Sequence, residues 1–163
     1  VLDLAAEKSD WGTPLPENWG RGIAIHKSFG TIVAQVVEVE VTDGKVRPRR
    51  AICAVDAGFT MHPDGMKAQM ESGIIYGLTA ALYSNISIHR GAVEQSNFHD
   101  YQMLRMNESP EIETYIINSG EKIGGAGEPG TPAIGPALVN AIFNATGNRI
   151  RELPVQMHDM SES

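Results

Sequence analysis

The stretch "GIAIHKSFGTIVAQVVEVEVTDGKVRPRRAICAVDAG", Gly22 to Gly58, most narrows the folds open to this chain. It is rich in Val and Ile, and apolar and polar residues alternate along it, which suits strands rather than a helix whose apolar face recurs every three to four residues. Asp43-Gly44 breaks the alternation with the residue pair that two-residue hairpin turns favour, so the stretch is expected to fold back as paired strands. Within "TIVAQVVEVEV", Ile32, Ala34 and Val36 fall on one face and Val37, Val39 and Val41 on the other. That change of parity predicts either a bulge or a strand buried on both faces for part of its length.

Helical spacing appears in two later places. After a loop from Phe59 to Asp64, a helix is expected from about Gly65 to Ser84, with Met66, Met70, Gly73, Ile74, Gly77, Leu78, Ala81 and Leu82 on one face. Glycine inside a helix costs roughly 1 kcal/mol relative to alanine, so Gly73 and Gly77 imply a close approach on that face. A last helix is expected from about Pro132 to Ala145, closed by Gly147 in a left-handed cap, then a short strand "RIRELPV". Between them lie a hairpin turning at Arg90-Gly91, the irregular "SNFHDYQMLRMNESP" and a strand "EIETYIINS". Residues 1–20 read as a helix end and linker from an upstream domain, and 21–163 as one domain. The fold class is α+β: two layers, a mixed β-sheet packed against two main helices.

Composition excludes several functions. A formal net charge of -7 and a pI near 5.2 argue against a nucleic-acid partner, whose binding surface would be basic. The one basic run, "KVRPRR", is expected at a solvated edge or a subunit contact. No apolar run approaches the roughly 18 residues of a membrane span. Cys53, the single cysteine, is expected to be a small buried hydrophobe; one thiol cannot hold an iron–sulfur cluster. His26, His62, His89, His99 and His158 form no i,i+4 pair and no group with cysteine, so no metal ligands are assigned.

The chemistry-bearing stretch is "GGAGEPG", Gly124 to Gly130, whose single charged side chain is Glu128. Gly125, Gly127 and Gly130 fit the letters of the dinucleotide fingerprint. A strand should run straight into that motif, yet "GEKIGG" intervenes, and Glu128 would sit where pyrophosphate belongs. A second reading makes Glu128 a helix-terminal charge, favoured by roughly 0.3 to 1 kcal/mol at an exposed site. A third makes it a carboxylate held against something bulky, with Pro129, Pro132 and Pro136 stiffening the frame. Gln69, early in the first long helix, offers an amide donor and acceptor, or is simply exposed.

The blocks "PDGMKAQMESGIIYGLTAALY", "EQSNFHDYQMLRMNESPEIE" and "GGAGEPGTPAIGPALVNAIFNATGNRIRELPV" resemble the C-terminal segment of the molybdopterin-binding large (beta) subunit of the xanthine oxidase family. The similarity is to the isoquinoline 1-oxidoreductase and aldehyde dehydrogenase branch and covers nearly all of the chain. It implies a molybdenum hydroxylase that oxidises an aldehyde or N-heteroaromatic carbon with water-derived oxygen. The cofactor implied is molybdopterin, as its cytosine dinucleotide. By the same resemblance Glu128 is the general base and Gln69 contacts the cofactor. Spacing alone suggests the peptide groups of Gly125, Ala126 and Gly127 beside it, and a base set against a bulky group is expected to be partly buried. Implied partners are the upstream part of the same large subunit and a small subunit carrying two 2Fe-2S clusters. The segment alone is expected to be inactive. Bacterial relatives of this branch are periplasmic or cytoplasmic, with the periplasm favoured. The rival readings are a non-catalytic subunit-assembly domain of the same fold and a nicotinamide-binding module.

Overall fold

The computed structural model describes residues 1–160; the last three positions of the expected 21–163 domain lie outside the described residues. In chain order the elements are α1 (Leu2–Lys8), β1 (Trp19–Ser28), β2 (Thr31–Thr42), β3 (Lys45–Asp56), α2 (Pro63–Leu82), β4 (Ile88–His89), β5 (Ala92–Val93), β6 (Glu111–Ile117), α3 (Ile134–Thr146) and a 3-10 turn (Val155–Met157). The main sheet has the order β1-β2-β3-β6. The first three strands form an antiparallel meander and β6 lies parallel to β3, so the sheet is mixed. The structure is α+β, as the run of strands, helix, strand and helix predicts.

Two hairpin turns carry paired positive φ angles at the expected residues: Asp43 and Gly44 (52° and 70°), and Arg90 and Gly91 (50° and 82°). A third joins β1 to β2 through Phe29 and Gly30, at 53° and 79°. The alternation did not announce it, because a bulky aromatic at positive φ is among the least favoured turn residues.

The parity change in β2 reflects burial on both faces; the bulge that is also present has its extra residue on β3, so β2 itself keeps one parity. Val33, Gln35, Val37, Val39 and Val41 face α2 and α3, while Ala34 and Val36 face α1 together with Ile52, Ala54 and Ala5; all of these are buried. The register against β3 shifts between Glu38 and Val39, where Arg49 is the extra residue. Cys53 is fully buried beside Gln35, and burial pushes its thiol up to about 12.

All eight residues expected on the buried face of the long helix are buried in α2. Its start lies two residues earlier than the spacing suggests, because Pro63 occupies the first turn and His62 caps it: Nδ1 accepts from Gly65 N–H at 2.7 Å. Gly147 closes α3 at φ 76°. The expected strand at "RIRELPV" is not formed. Pro154 has no N–H for a ladder, and the chain instead buries Ile150 before a 3-10 turn, Val155 as that turn's first residue and Met160 after it.

α3 lies directly on the edge strand β1. A Cβ at Gly22 would stand 2.2 Å from the Ala137 carbonyl oxygen, and one at Gly20 2.1 Å from that of Ala141, so only glycine admits this contact. Asn140 and Asn144, one turn apart on α3, then cover the free edge: Asn144 accepts from Arg21 N–H at 3.0 Å and Asn140 donates to the Ile23 carbonyl at 3.2 Å.

On the outer face an ion-pair chain ties the N-terminal segment to the sheet. Arg21 donates to Glu38 Oε1 through Nε (2.8 Å) and Nη2 (2.6 Å), with only 8% of either side chain exposed, and through Nη1 to the Asp10 carbonyl. Arg50 donates to Glu113 Oε1 at 2.6 Å and to the Lys8 carbonyl at 3.0 Å. The basic run is therefore partly neutralised from within: Arg49 pairs with Glu40 and Arg50 with Glu113. Glu38→Ala is expected to destabilise the chain by about 3–5 kcal/mol in denaturant titration, since it strands the buried Arg21 guanidinium.

The Arg50 hydrogen bond, followed by that from Tyr115, holds the Glu113 carboxyl below its ordinary value of 4.5. A depressed carboxyl stabilises the fold above its unfolded pKa and loses that contribution as pH falls through the folded one. The thermal midpoint should therefore decline on acidification below pH 4.5, and Glu113→Gln should make that decline shallower.

Candidate functional site

The seven residues from Gly124 to Gly130 belong to the connection between β6 and α3, and both ends of this loop are fastened to the β-meander. Gly124 N–H donates to the Ala57 carbonyl (2.9 Å) and Gly125 N–H to the Phe29 carbonyl (2.8 Å). The buried Thr31 hydroxyl donates to the Gly125 carbonyl at 2.6 Å. At the far end, Gln35 donates from Nε2 to the Gly130 carbonyl at 2.7 Å. Thr131 N–H closes a turn onto the Glu128 carbonyl at 3.0 Å.

The glycines have separate reasons. A Cβ at Gly124 would reach 2.4 Å from Thr31 Oγ1, one at Gly125 2.9 Å from Phe29 Cβ, and one at Gly130 2.9 Å from the Met70 carbonyl oxygen. Those three let the loop pack. At Gly127 a Cβ would meet nothing within 4 Å, so this position alone is open space beside Glu128. Likewise the close approach implied by Gly73 and Gly77 is made by the loop and α3: the nearest atoms are Gly130 at 3.1 Å and Ile134 Cγ2 at 2.3 Å.

The fastened loop forms one wall of a cleft of about 600 Å³. His26, Ser28 and Phe29 line it from β1 and its turn, Ser72, Gly73 and Tyr76 from α2, and Gly127, Glu128, Thr131 and Pro132 from the loop. Phe29 and Tyr76 are 66% and 71% exposed. Glu128 is exposed too, so the partial burial expected for it is not provided by this chain. Ser28 Oγ is buried with no hydrogen-bond partner among the described residues.

The remaining expected site residues divide by availability. Gly125 has both peptide groups engaged, by Phe29 and Thr31, so they do not point at a ligand. Ala126 is half-buried against the core, and Gly127 is exposed in the cleft wall. Gln69 is exposed in the second turn of α2, one turn before Ser72 and Gly73 on the same helix face, but it is not among the residues that line the cleft. With Gly124 and Gly125 N–H groups bonded to carbonyls, the loop's first amides do not form a phosphate cradle.

Thr31 and Gln35 were not singled out from the sequence, although both lie on the core-facing parity of β2. A glutamine between Val33 and Val37 is the signal that could have found one of them. Its partner is 95 residues away, which no local pattern reveals.

The cleft suits a bulky group that offers both an acceptor and a donor: the Ser28 hydroxyl, unpartnered among the described residues, can donate, the Glu128 carboxylate accepts, and side-chain clearance at Gly127 borders the same space.

Residues 4–110 match the family model described as the molybdopterin cofactor-binding domain. The match includes Gln69 and stops before the Glu128 loop. The chain is 38% identical over 96% of its length to an isoquinoline 1-oxidoreductase subunit beta of Brevundimonas diminuta, spanning 21% of that protein. It is 39% identical over 98% of its length to a membrane-bound aldehyde dehydrogenase of Gluconacetobacter polyoxogenes, named for pyrroloquinoline quinone, spanning 22% of it. Among solved structures, the aldehyde oxidoreductase of Desulfovibrio desulfuricans superposes with a TM-score of 0.67 at 25% identity, covering 76% of this chain and 14% of that one. The chain thus spans about a fifth of the length of these curated relatives.

Replacing Thr31 by Val removes the donor to the Gly125 carbonyl while keeping the side-chain shape. We expect a loss of about 1–3 kcal/mol in denaturant-measured stability, the cost of leaving a part-buried acceptor unpaired.

Proposed function

The chain belongs to the molybdopterin cofactor-binding domain family, carried by molybdenum-binding subunits of the xanthine oxidase family, and from that premise we propose that Glu128 is the general base of a molybdenum hydroxylase. When bound, the molybdenum–pterin group supplies metal-centred oxidation of an aldehyde or N-heteroaromatic carbon. The chain's residues bind and orient it and accept a proton. The observation that carries the reading is a single carboxylate opening into the cleft from a loop fastened at both ends.

A base must lie within hydrogen-bond reach of the proton it takes, and a fastened loop favours that by fixing where Glu128 stands. The carboxylate accepts the proton at one oxygen. Ser28 and Gln69 are the side chains we assign to hold the cofactor, Ser28 through its unpartnered hydroxyl and Gln69 through its amide, one turn along α2 from the cleft wall. Gly127 offers an exposed peptide in the same cleft wall, and Ala126 precedes it in the loop. Because this chain leaves Glu128 exposed, exclusion of water falls to the cofactor itself and to other segments of the large subunit.

We further propose that the cofactor is the cytosine dinucleotide form and that electrons leave to a small subunit with two 2Fe-2S clusters. The single cysteine here, buried in the sheet, is consistent with clusters held elsewhere. The quinone in one relative's name belongs to that protein; the family model matched here concerns molybdopterin.

Glu128→Gln in the complete, cofactor-loaded enzyme tests the reading. Removing a general base should cut kcat by about 10² to 10⁴ with molybdenum content unchanged. Unchanged turnover would instead favour a domain that serves only assembly.

A further inference from the structure

Gln35 is a fully buried amide on the core face of β2, between Val33 and Val37 and opposite Cys53. Its Nε2 reaches the Gly130 carbonyl at 2.7 Å and stands 3.8 Å from Cys53 Sγ, while its Oε1 has no partner among the described residues. The orientation is dictated: turning the amide over would set its oxygen against the Gly130 carbonyl, acceptor against acceptor. A Leu or Met there would fill the core and spare the orphaned Oε1 but would take the donor from the Gly130 carbonyl, so it is that hydrogen bond, not packing, that accounts for the glutamine.

Its effect falls on the end of the glutamate loop. Gly130 is pressed between Gln35 and α2, where a Cβ would be 2.9 Å from the Met70 carbonyl oxygen. Glu128 is two residues before it and is closed into the same turn by Thr131. Fixing the Gly130 carbonyl therefore fixes the turn from which the Glu128 carboxylate projects.

We propose that Gln35 is the positioning residue for Glu128, holding the Gly130 carbonyl from within the core so that the carboxylate stays aimed into the cleft. The proposal rests on the reading of Glu128 as base, yet its structural half stands apart from that reading: the amide clamps the loop whatever the loop does.

The test uses the full enzyme with Gln35→Met, which keeps the volume and removes the donor, and Gln35→Asn, which keeps an amide that falls short of Gly130. Hydrogen exchange should quicken by about tenfold or more at the far end of the loop, from Glu128 to Thr131, the effect expected for a buried acceptor that loses its donor, while Gly124, Gly125 and α3 exchange as before. In the same variants kcat should fall by about tenfold or more with KM unchanged, the pattern of a group misplaced for the chemical step rather than for binding. Loop exchange unchanged in either folded variant overturns the proposal. So does equal acceleration in the loop and in α3, which makes Gln35 a general core residue, and so does unchanged kcat with a loosened loop. Glu128→Gln measured alongside separates the two ideas: if it remains fully active the base reading fails, and the exchange data still decide whether Gln35 clamps the loop.

Discussion

A strand buried along most of both faces must find a partner for each polar side chain it buries, and β2 is such a strand. It lies second in the sheet, with α1 over part of one face and α2 and α3 over the other. Three polar residues on it are buried: Thr31, Gln35 and Glu38. Glu38 is answered by its cross-strand neighbour on β1, Thr31 and Gln35 by a loop far along the chain. Glu38 takes Arg21 and draws in the N-terminal segment, Thr31 takes the start of the glycine loop, and Gln35 takes its end. Desolvation makes these attachments specific, because a buried polar group left unpaired costs more than a formed hydrogen bond contributes.

That constraint links the fold to the site. The loop carrying Glu128 spans the top of the helix-facing layer because both of its ends hang from β2 and from the turn preceding it. Gly73 and Gly130 then let α2 and the loop meet backbone to backbone, which leaves the cleft between α2, the β1–β2 turn and the loop. The carboxylate is exposed in this chain, but its backbone is not free to wander.

Much of the architecture was legible in the sequence, and the reasons are local. The eight apolar and small residues of α2 recur at helical spacing, Asp43-Gly44 and Arg90-Gly91 carry turn chemistry in two adjacent residues, and Gly147 marks a helix end by tolerating positive φ. What was not legible depended on distant partners or broke local rules. Phe29 takes a backbone conformation its side chain disfavours, and its carbonyl is then used by Gly125. Pro154 denied a ladder to a stretch whose letters alternate. Of the loop's four glycines, three serve packing against Thr31, Phe29 and Met70, and only Gly127 faces open space, a division that the letters of the loop do not carry. The Gln35 hydrogen bond spans 95 residues, a separation no local pattern encodes.

The most direct measurement of the central claim is a crystal structure of the complete enzyme with its cofactor bound. The account predicts the Glu128 carboxylate within about 2.6–3.2 Å of the cofactor's metal ligand shell, with the Gln35 to Gly130 hydrogen bond intact beneath it. A Glu128 carboxylate turned away from the cofactor and paired with a residue of another segment would contradict it.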